Sequence, residues 1–231
     1  MSFRDDLPYM YQSVIFDVDG VLLRHPTNDT DVYADMVAET FRSFNISPSD
    51  SDVEAFFGAS KTIGKMKQVC ECHNIDLETF WAEREQRSSK LQQQMMEDGE
   101  RDLYEDCTVL STLAQTHDLG LVSTNQQETI EFMIDHFDLD GCFEAVYGRE
   151  PTIEGFQRVK PNTYYIEQAL EDLGTRSAVY VGDSASDVVA AHRTGLDSVF
   201  IWRDHRTDYK LTENPTYEID QLTELTEKSQ C

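Results

Sequence analysis

The segment Val14-Ile15-Phe16-Asp17-Val18-Asp19-Gly20-Val21 decides how the rest of the chain is read. Its three leading apolar residues have the length and β-branched content of a strand buried on both faces. They run into two aspartates one residue apart, and Gly20 then lets the backbone turn where a side chain would resist. Alternation along an extended strand directs Asp17 and Asp19 to the same side as the chain leaves the sheet. Carboxylates held that close repel each other unless a proton or a cation lies between them. A hard divalent ion such as Mg2+ favours carboxylate and carbonyl oxygen and is the natural occupant. A solvated turn or a piece of a calcium loop would carry the same letters, so the reading depends on the remainder of the chain.

The next stretch is helical. Val32, Met36, Val37, Phe41 and Phe44 fall at three- and four-residue spacing after a candidate N-cap at Asp29 or Thr30. Pro48 predicts the opening of a short helix through Phe56 and Phe57, closed by Gly58. Two further helices are expected over Lys61–His73 and Asp76–Met96, and nothing from Thr27 to Asp98 reads as a strand. Residues 25–101 are therefore expected to form an all-helical cap inserted into a core made of residues 1–24 and 102–231. Cys70-Glu71-Cys72-His73 lies within this pattern; with three ligands and no C-x-x-C spacing it reads as packing rather than a metal cluster.

From Asp102 the pattern alternates between helix and strand. Helices are expected over Thr108–Thr116, Gln126–Phe137, Asn162–Leu173 and from Asp187 to Thr194, and strands at Leu119–Val122, Ala145–Tyr147, Ala178–Val181, Ser198–Ile201 and Tyr217–Ile219. The tail beyond Asp204 reads as loop up to that last strand, with a short helix after it. Such alternation implies an α/β fold, a parallel Rossmann-like sheet with right-handed crossovers. Sheets of this kind bind ligands beyond the carboxyl ends of their strands, near the point where strand order reverses. Polar residues gather there. Asp17 and Asp19 follow the first strand, Ser123-Thr124-Asn125 the second, Lys160 opens a helix before Pro161, and Asp183 and Asp187 follow Ala178–Val181.

These four groups, in this order, resemble the haloacid dehalogenase-like hydrolases, whose motifs are D-x-D-G-[TV], a strand-ending Ser or Thr, a Lys, and G-D-x-x-x-D. The resemblance spans the chain, and the helical block is similar to that family's C1-type cap. It implies a phosphatase acting on a small soluble phosphorylated metabolite through an aspartyl-phosphate. Asp17 would be the nucleophile and Asp19 the acid and base. Ser123, Thr124, Asn125 and Lys160 would hold the phosphoryl group, and Asp17, Asp19, Asp183 and Asp187 the Mg2+. The chemistry agrees with elementary requirements: a nucleophile, an acid for the leaving oxygen, and positive charge around the phosphoryl oxygens. Ser123 and Asp187 would equally suit helix caps, Lys160 a solvated surface position, and Asn125 a turn. Asp19 separates this branch from the dehalogenases, which lack an acid there. Lys61 and Lys65, one helical turn apart and followed by Lys67, are expected to meet an anionic substrate, or else to form a solvated helix face; Arg24 and His25 are weaker candidates. A β-phosphoglucomutase-like phosphotransferase fits the same motifs. A non-catalytic binding module would be signalled by loss of the nucleophile or metal acid, and both are present.

Composition bounds the alternatives. With 44 acidic against 19 basic residues the net charge is −25, spread along all 231 residues rather than gathered in a tail. No basic stripe exists to meet phosphates, which argues against nucleic acid. An acidic coat over a whole surface fits a salt-rich cytoplasm, because screening shortens to roughly 3 Å at 1 M. No apolar run of about 18 residues and no signal-peptide pattern is found, so no membrane association is expected. Five irregularly spaced cysteines give no disulfide framework.

Overall fold

The structure, a computed structural model, describes residues 10–25, 29–58 and 61–226, without the side chains of Asp29 and Thr30. It opens with β1 (Ser13–Phe16), every residue of which is buried. The described chain divides into two compact units. One holds the segments up to Arg24, Asp102–Arg149 and from Arg158 onward; the other holds His25–Arg101 and Glu150–Gln157.

The second unit is helical among the described residues: α1 (Asp29–Ser43), α2 (Asp50–Glu54), α3 (Ile63–Cys72) and α4 (Leu77–Glu97). Each of the last three begins at a side-chain cap that satisfies an orphan backbone N–H. Ser49 caps α2 in a reciprocal box with Asp52, so that helix opens at Asp50 rather than Pro48 and ends at Glu54, short of Phe56 and Phe57; Thr62 caps α3 and Asp76 caps α4. Phe41, Phe56 and Phe80 meet at ring separations of 4.4–5.6 Å and join Met36, Val37, Met66 and Trp81 in one core. Cys70 is buried in that core, Cys72 is exposed and His73 pairs with Asp52, as packing requires.

The core unit adds α5 (Leu110–Leu113), β2 (Asp118–Gln126), α6 (Gln127–His136) and β3 (Ala145–Arg149). After the helical segment α7 (Ile153–Gln157) come α8 (Tyr164–Asp172), β4 (Ala178–Gly182), α9 (Ala185–Arg193), β5 (Asp197–Ile201) and β6 (Tyr217–Ile219). The six strands form one sheet in the order β3-β2-β1-β4-β5-β6, every pairing parallel. The chain fills one side of β1 and then crosses to the other, so the reversal of strand order falls at β1 and β4, where Phe16 pairs with Val181. Ile15, Val122, Ile166, Ala169 and Tyr180 belong to the buried cluster between sheet and helices.

Four expectations need correction. Thr108–Thr116 is not one helix but a 3-10 segment, Glu105–Val109, followed by the single turn of α5. β2 does not stop at Val122; it continues through Ser123, Thr124 and Asn125 because Gln126 still pairs with Arg149, beyond a shift in register. Lys160 does not open a helix, since α8 starts at Tyr164, and the Lys160–Pro161 peptide is cis. Residues 150–157, which include α7, pack with the helical unit rather than the core. Phe156 stands 5.1 Å from Trp81, and the Ile153 N–H donates to Glu78 Oε2 at 3.2 Å. Five residues are too few to show a helical period.

Candidate active site

Glycine makes the room. A Cβ at Gly182 would stand 2.3 Å from that of Asp187, so only glycine at the end of β4 lets Asp187 turn back against the strand. Gly20, at φ +79°, approaches so closely that a Cβ would lie 2.2 Å from Asp183 Oδ2. Between these two points Asp17, Asp183 and Asp187 are buried, and one carboxylate oxygen from each falls within 4.8 Å of the others.

Lys160 ties the cluster together. Its Nζ is 2.9 Å from Asp17 Oδ1 and 2.6 Å from Asp187 Oδ1, and the side chain is 3% exposed. It also donates to the Tyr180 hydroxyl at 2.8 Å and to the Val122 carbonyl at 3.3 Å. Burial of this depth would be prohibitive for an unpaired ammonium. Asp187 serves twice: Oδ2 accepts from the Ser184 N–H and hydroxyl in the capping box of α9, leaving Oδ1 for Lys160. Both the capping role and a place in the cluster therefore hold for this residue.

The electrostatics follow from burial. Burial pushes the Asp17 carboxyl up to about 8; Lys160 opposes the rise, and Asp187, Asp183 and Asp19 add to it. Burial would lower the Lys160 ammonium, but Asp17 and Asp187 hold it well above its ordinary range. Burial also works against a charged Asp183. Hydrogen bonds from His205 and Arg206, with the charge of Arg206, outweigh it and keep that carboxyl below the ordinary value.

The other expected residues divide into two sets. The Asp19 side chain is outside the carboxylate trio and is held by Asn125, whose Nδ2 donates to its two oxygens at 3.3 and 3.0 Å. Ser123 is buried and its Oγ accepts from the Asn125 N–H at 3.2 Å, while Thr124 is half-buried. Arg24 lies over the Tyr104 ring at 4.6 Å. Lys61 and Lys65 belong to the helical unit, where Lys61 stands 5.4 Å from the Phe156 ring and the Lys65 N–H is capped by Thr62. Sequence reasoning overlooked Tyr180, which reads as strand core, and the pair His205 and Arg206. For that pair a signal existed: basic residues in an acidic chain, just past the carboxyl end of β5, where ligands of such sheets bind.

Three oxygens from buried aspartates suit a hard divalent cation, and Gly20 and Gly182 leave the space they need. A doubly wound parallel sheet with carboxylates at its switch point places the chain in the Rossmann-like α/β class. The chain belongs to the haloacid dehalogenase-like hydrolases, whose family model matches residues 14–201. Among its relatives is pyrophosphatase PpaX of Bacillus mycoides (strain KBAB4), 24% identical over 223 residues, covering 92% of this chain and 94% of that one. CbbY from Rhodobacter sphaeroides, solved in complex with phosphate, aligns with TM-score 0.64 at 16% identity over 95% of this chain and 97% of its own. YfnB from Bacillus subtilis, solved bound to magnesium, gives TM-score 0.55 at 19% identity over 93% and 96%. No described helix is long and apolar enough to cross a membrane.

Proposed function

We propose that the protein is a Mg2+-dependent phosphatase that hydrolyses a small phosphate monoester through an aspartyl-phosphate on Asp17. The observation that carries this reading is the bridge from Lys160 Nζ to Asp17 Oδ1 and Asp187 Oδ1, which sets a permanent positive charge beside a nucleophile. An Asp17 oxygen attacks phosphorus and forms the new P–O bond as the bond to the leaving oxygen breaks. Asp19, held by Asn125, gives its proton to that oxygen. Asp19 then takes a proton from water as the water oxygen attacks phosphorus. The P–O bond to Asp17 breaks, releasing inorganic phosphate and restoring the carboxylate. Lys160 and the backbone N–H groups around Ser123 offset charge on the phosphoryl oxygens. Asp17, Asp183 and Asp187, with the backbone of Asp19, would hold the Mg2+, which when bound supplies charge that favours ionised Asp17 and screens the phosphoryl group.

The magnesium bound to YfnB, the phosphate bound to CbbY and the relative named pyrophosphatase agree with this reading. Release of inorganic phosphate from a panel of esters and pyrophosphate, with and without Mg2+ in molar KCl, tests it. Mg2+-dependent release confined to a few substrates, abolished in Asp17→Asn, is the expected outcome. Phosphate release that survives Asp17→Asn would refute the nucleophile.

A further inference from the structure

The loop after β5 carries two arginines used in different ways. Arg203 is buried at 7% side-chain exposure and directs both terminal nitrogens to Asp106, at 2.8 and 3.0 Å, with a further bond to the Val21 carbonyl at 2.7 Å. This is the two-pronged pairing that makes an arginine–carboxylate contact strong. Arg206 instead meets Asp183 Oδ2 through Nε alone, at 2.9 Å, and shares that oxygen with His205 Nε2 at 2.7 Å. Among the described residues no acceptor pairs with its terminal nitrogens, and the side chain is 23% exposed.

Arg206 is nevertheless held in place. Its guanidinium lies 4.5 Å over the Tyr209 ring. Tyr209 stacks in turn on buried Phe200 at 6.1 Å and accepts from the Ala185 N–H at 2.9 Å, at the start of α9. An arm stacked on an aromatic ring and anchored at Nε keeps its outer edge directed with little entropy left to lose on binding. Neutralising Asp183 would be done better by the two-pronged geometry of Arg203. Lys160, on Asp17 and Asp187, already serves the reacting phosphoryl group, so the open edge of Arg206 beside Asp183 is suited to a different anion.

We infer that Arg206 is a specificity residue that receives a second anionic group of the substrate, a phosphate or carboxylate a few bonds from the phosphoryl group that reacts at Asp17. This rests on the phosphatase reading. Substrates with two anionic ends are preferred over phosphate esters whose leaving group is neutral.

The test compares kcat/KM for pyrophosphate and 3-phosphoglycerate with that for phenyl phosphate and glycerol 3-phosphate, in wild type, Arg206→Gln and Arg206→Lys. In Arg206→Gln the preference for the two-anion substrates falls by about tenfold or more, through KM, and Arg206→Lys restores part of it. A fall limited to pyrophosphate identifies the second group as phosphate; a fall limited to 3-phosphoglycerate identifies it as carboxylate. Equal losses on all four substrates, accompanied by altered Mn2+ affinity measured by electron paramagnetic resonance, would show that Arg206 acts only through Asp183 and overturn the inference. So would a wild type with no preference for two anionic ends. If wild type hydrolyses none of the four, the phosphatase reading fails, and calorimetric titration with pyrophosphate decides the role of Arg206 by itself. Binding at least tenfold weaker in Arg206→Gln sustains the inference, and unchanged binding refutes it.

Discussion

Tyr180 stands between Lys160 and the main chain of β2: its hydroxyl accepts from Lys160 Nζ at 2.8 Å and donates to the Val122 carbonyl at 2.7 Å. The ring is fully buried on β4, one strand away from β1. A lysine side chain has many rotamers, and this contact removes most of them before substrate arrives. Tyr180→Phe keeps the ring and deletes the relay. It leaves the Val122 carbonyl without the hydroxyl and Lys160 without one acceptor, a cost of about 1–3 kcal/mol in stability. The expected kinetic outcome is a kcat roughly tenfold lower, with the fold retained in circular dichroism. Wild-type kcat in that variant would mean that Asp17 and Asp187 position Lys160 unaided.

Asp17 has a pH signature. Its carboxyl is pushed by burial from 3.8 up to about 8, so between those values the folded chain holds a proton that the unfolded chain has lost. Stability of the metal-free protein therefore declines as pH rises through that window. Asp17→Asn removes the titration while preserving shape. In EDTA its melting temperature should exceed that of wild type by a margin that is small at pH 5 and grows toward pH 8. A margin independent of pH would show that Asp17 is ionised throughout.

Asn125 gives the means to separate acid–base work from metal binding. It holds Asp19 by Nδ2 and takes no part in the Asp17, Asp183 and Asp187 trio. Asn125→Ala removes these two hydrogen bonds from the Asp19 carboxylate. Alkyl phosphates, whose leaving oxygen needs a proton, should slow by tenfold or more, and aryl phosphates with acidic leaving groups by much less. Equal slowing of both classes would place Asn125 on the phosphoryl group instead.

These residues were unequally legible in the sequence. Asp17, Asp19, Asp183 and Asp187 stand out because an apolar strand of fixed alternation ends just before each pair, and the strand order of the sheet then carries β1 and β4 side by side. Ser123 to Asn125 have the composition of a turn, yet pairing of Gln126 with Arg149 draws them into β2, a tertiary effect that local preference does not contain. Tyr180 reads as one more apolar strand residue. Its polar end matters only because β4 and β2 flank β1, which no local pattern reveals. Arg206 ends a three-residue 3-10 turn, Asp204–Arg206, too short to show a period, and its partner Asp183 is 23 residues away.

The acidic coat bears on stability rather than chemistry. With a net charge of −25 and few lysines to pair with, the folded state gathers like charges that the unfolded chain keeps apart. Exposed pairs such as Lys67 with Glu71, at 3.9 Å, offset little of this. Potassium chloride should therefore raise the melting temperature on the order of 5–10 °C, if screening recovers about 2–3 kcal/mol. The concentration range identifies the cause. Screening acts most steeply near 0.1 M, where the Debye length is about 10 Å, and levels off as it approaches roughly 3 Å at 1 M. A rise confined to salt above 1 M would instead reflect general strengthening of apolar burial by excluded salts. A flat profile would remove the case for adaptation to a salt-rich medium, since nothing in the sheet or the carboxylate site requires the charge.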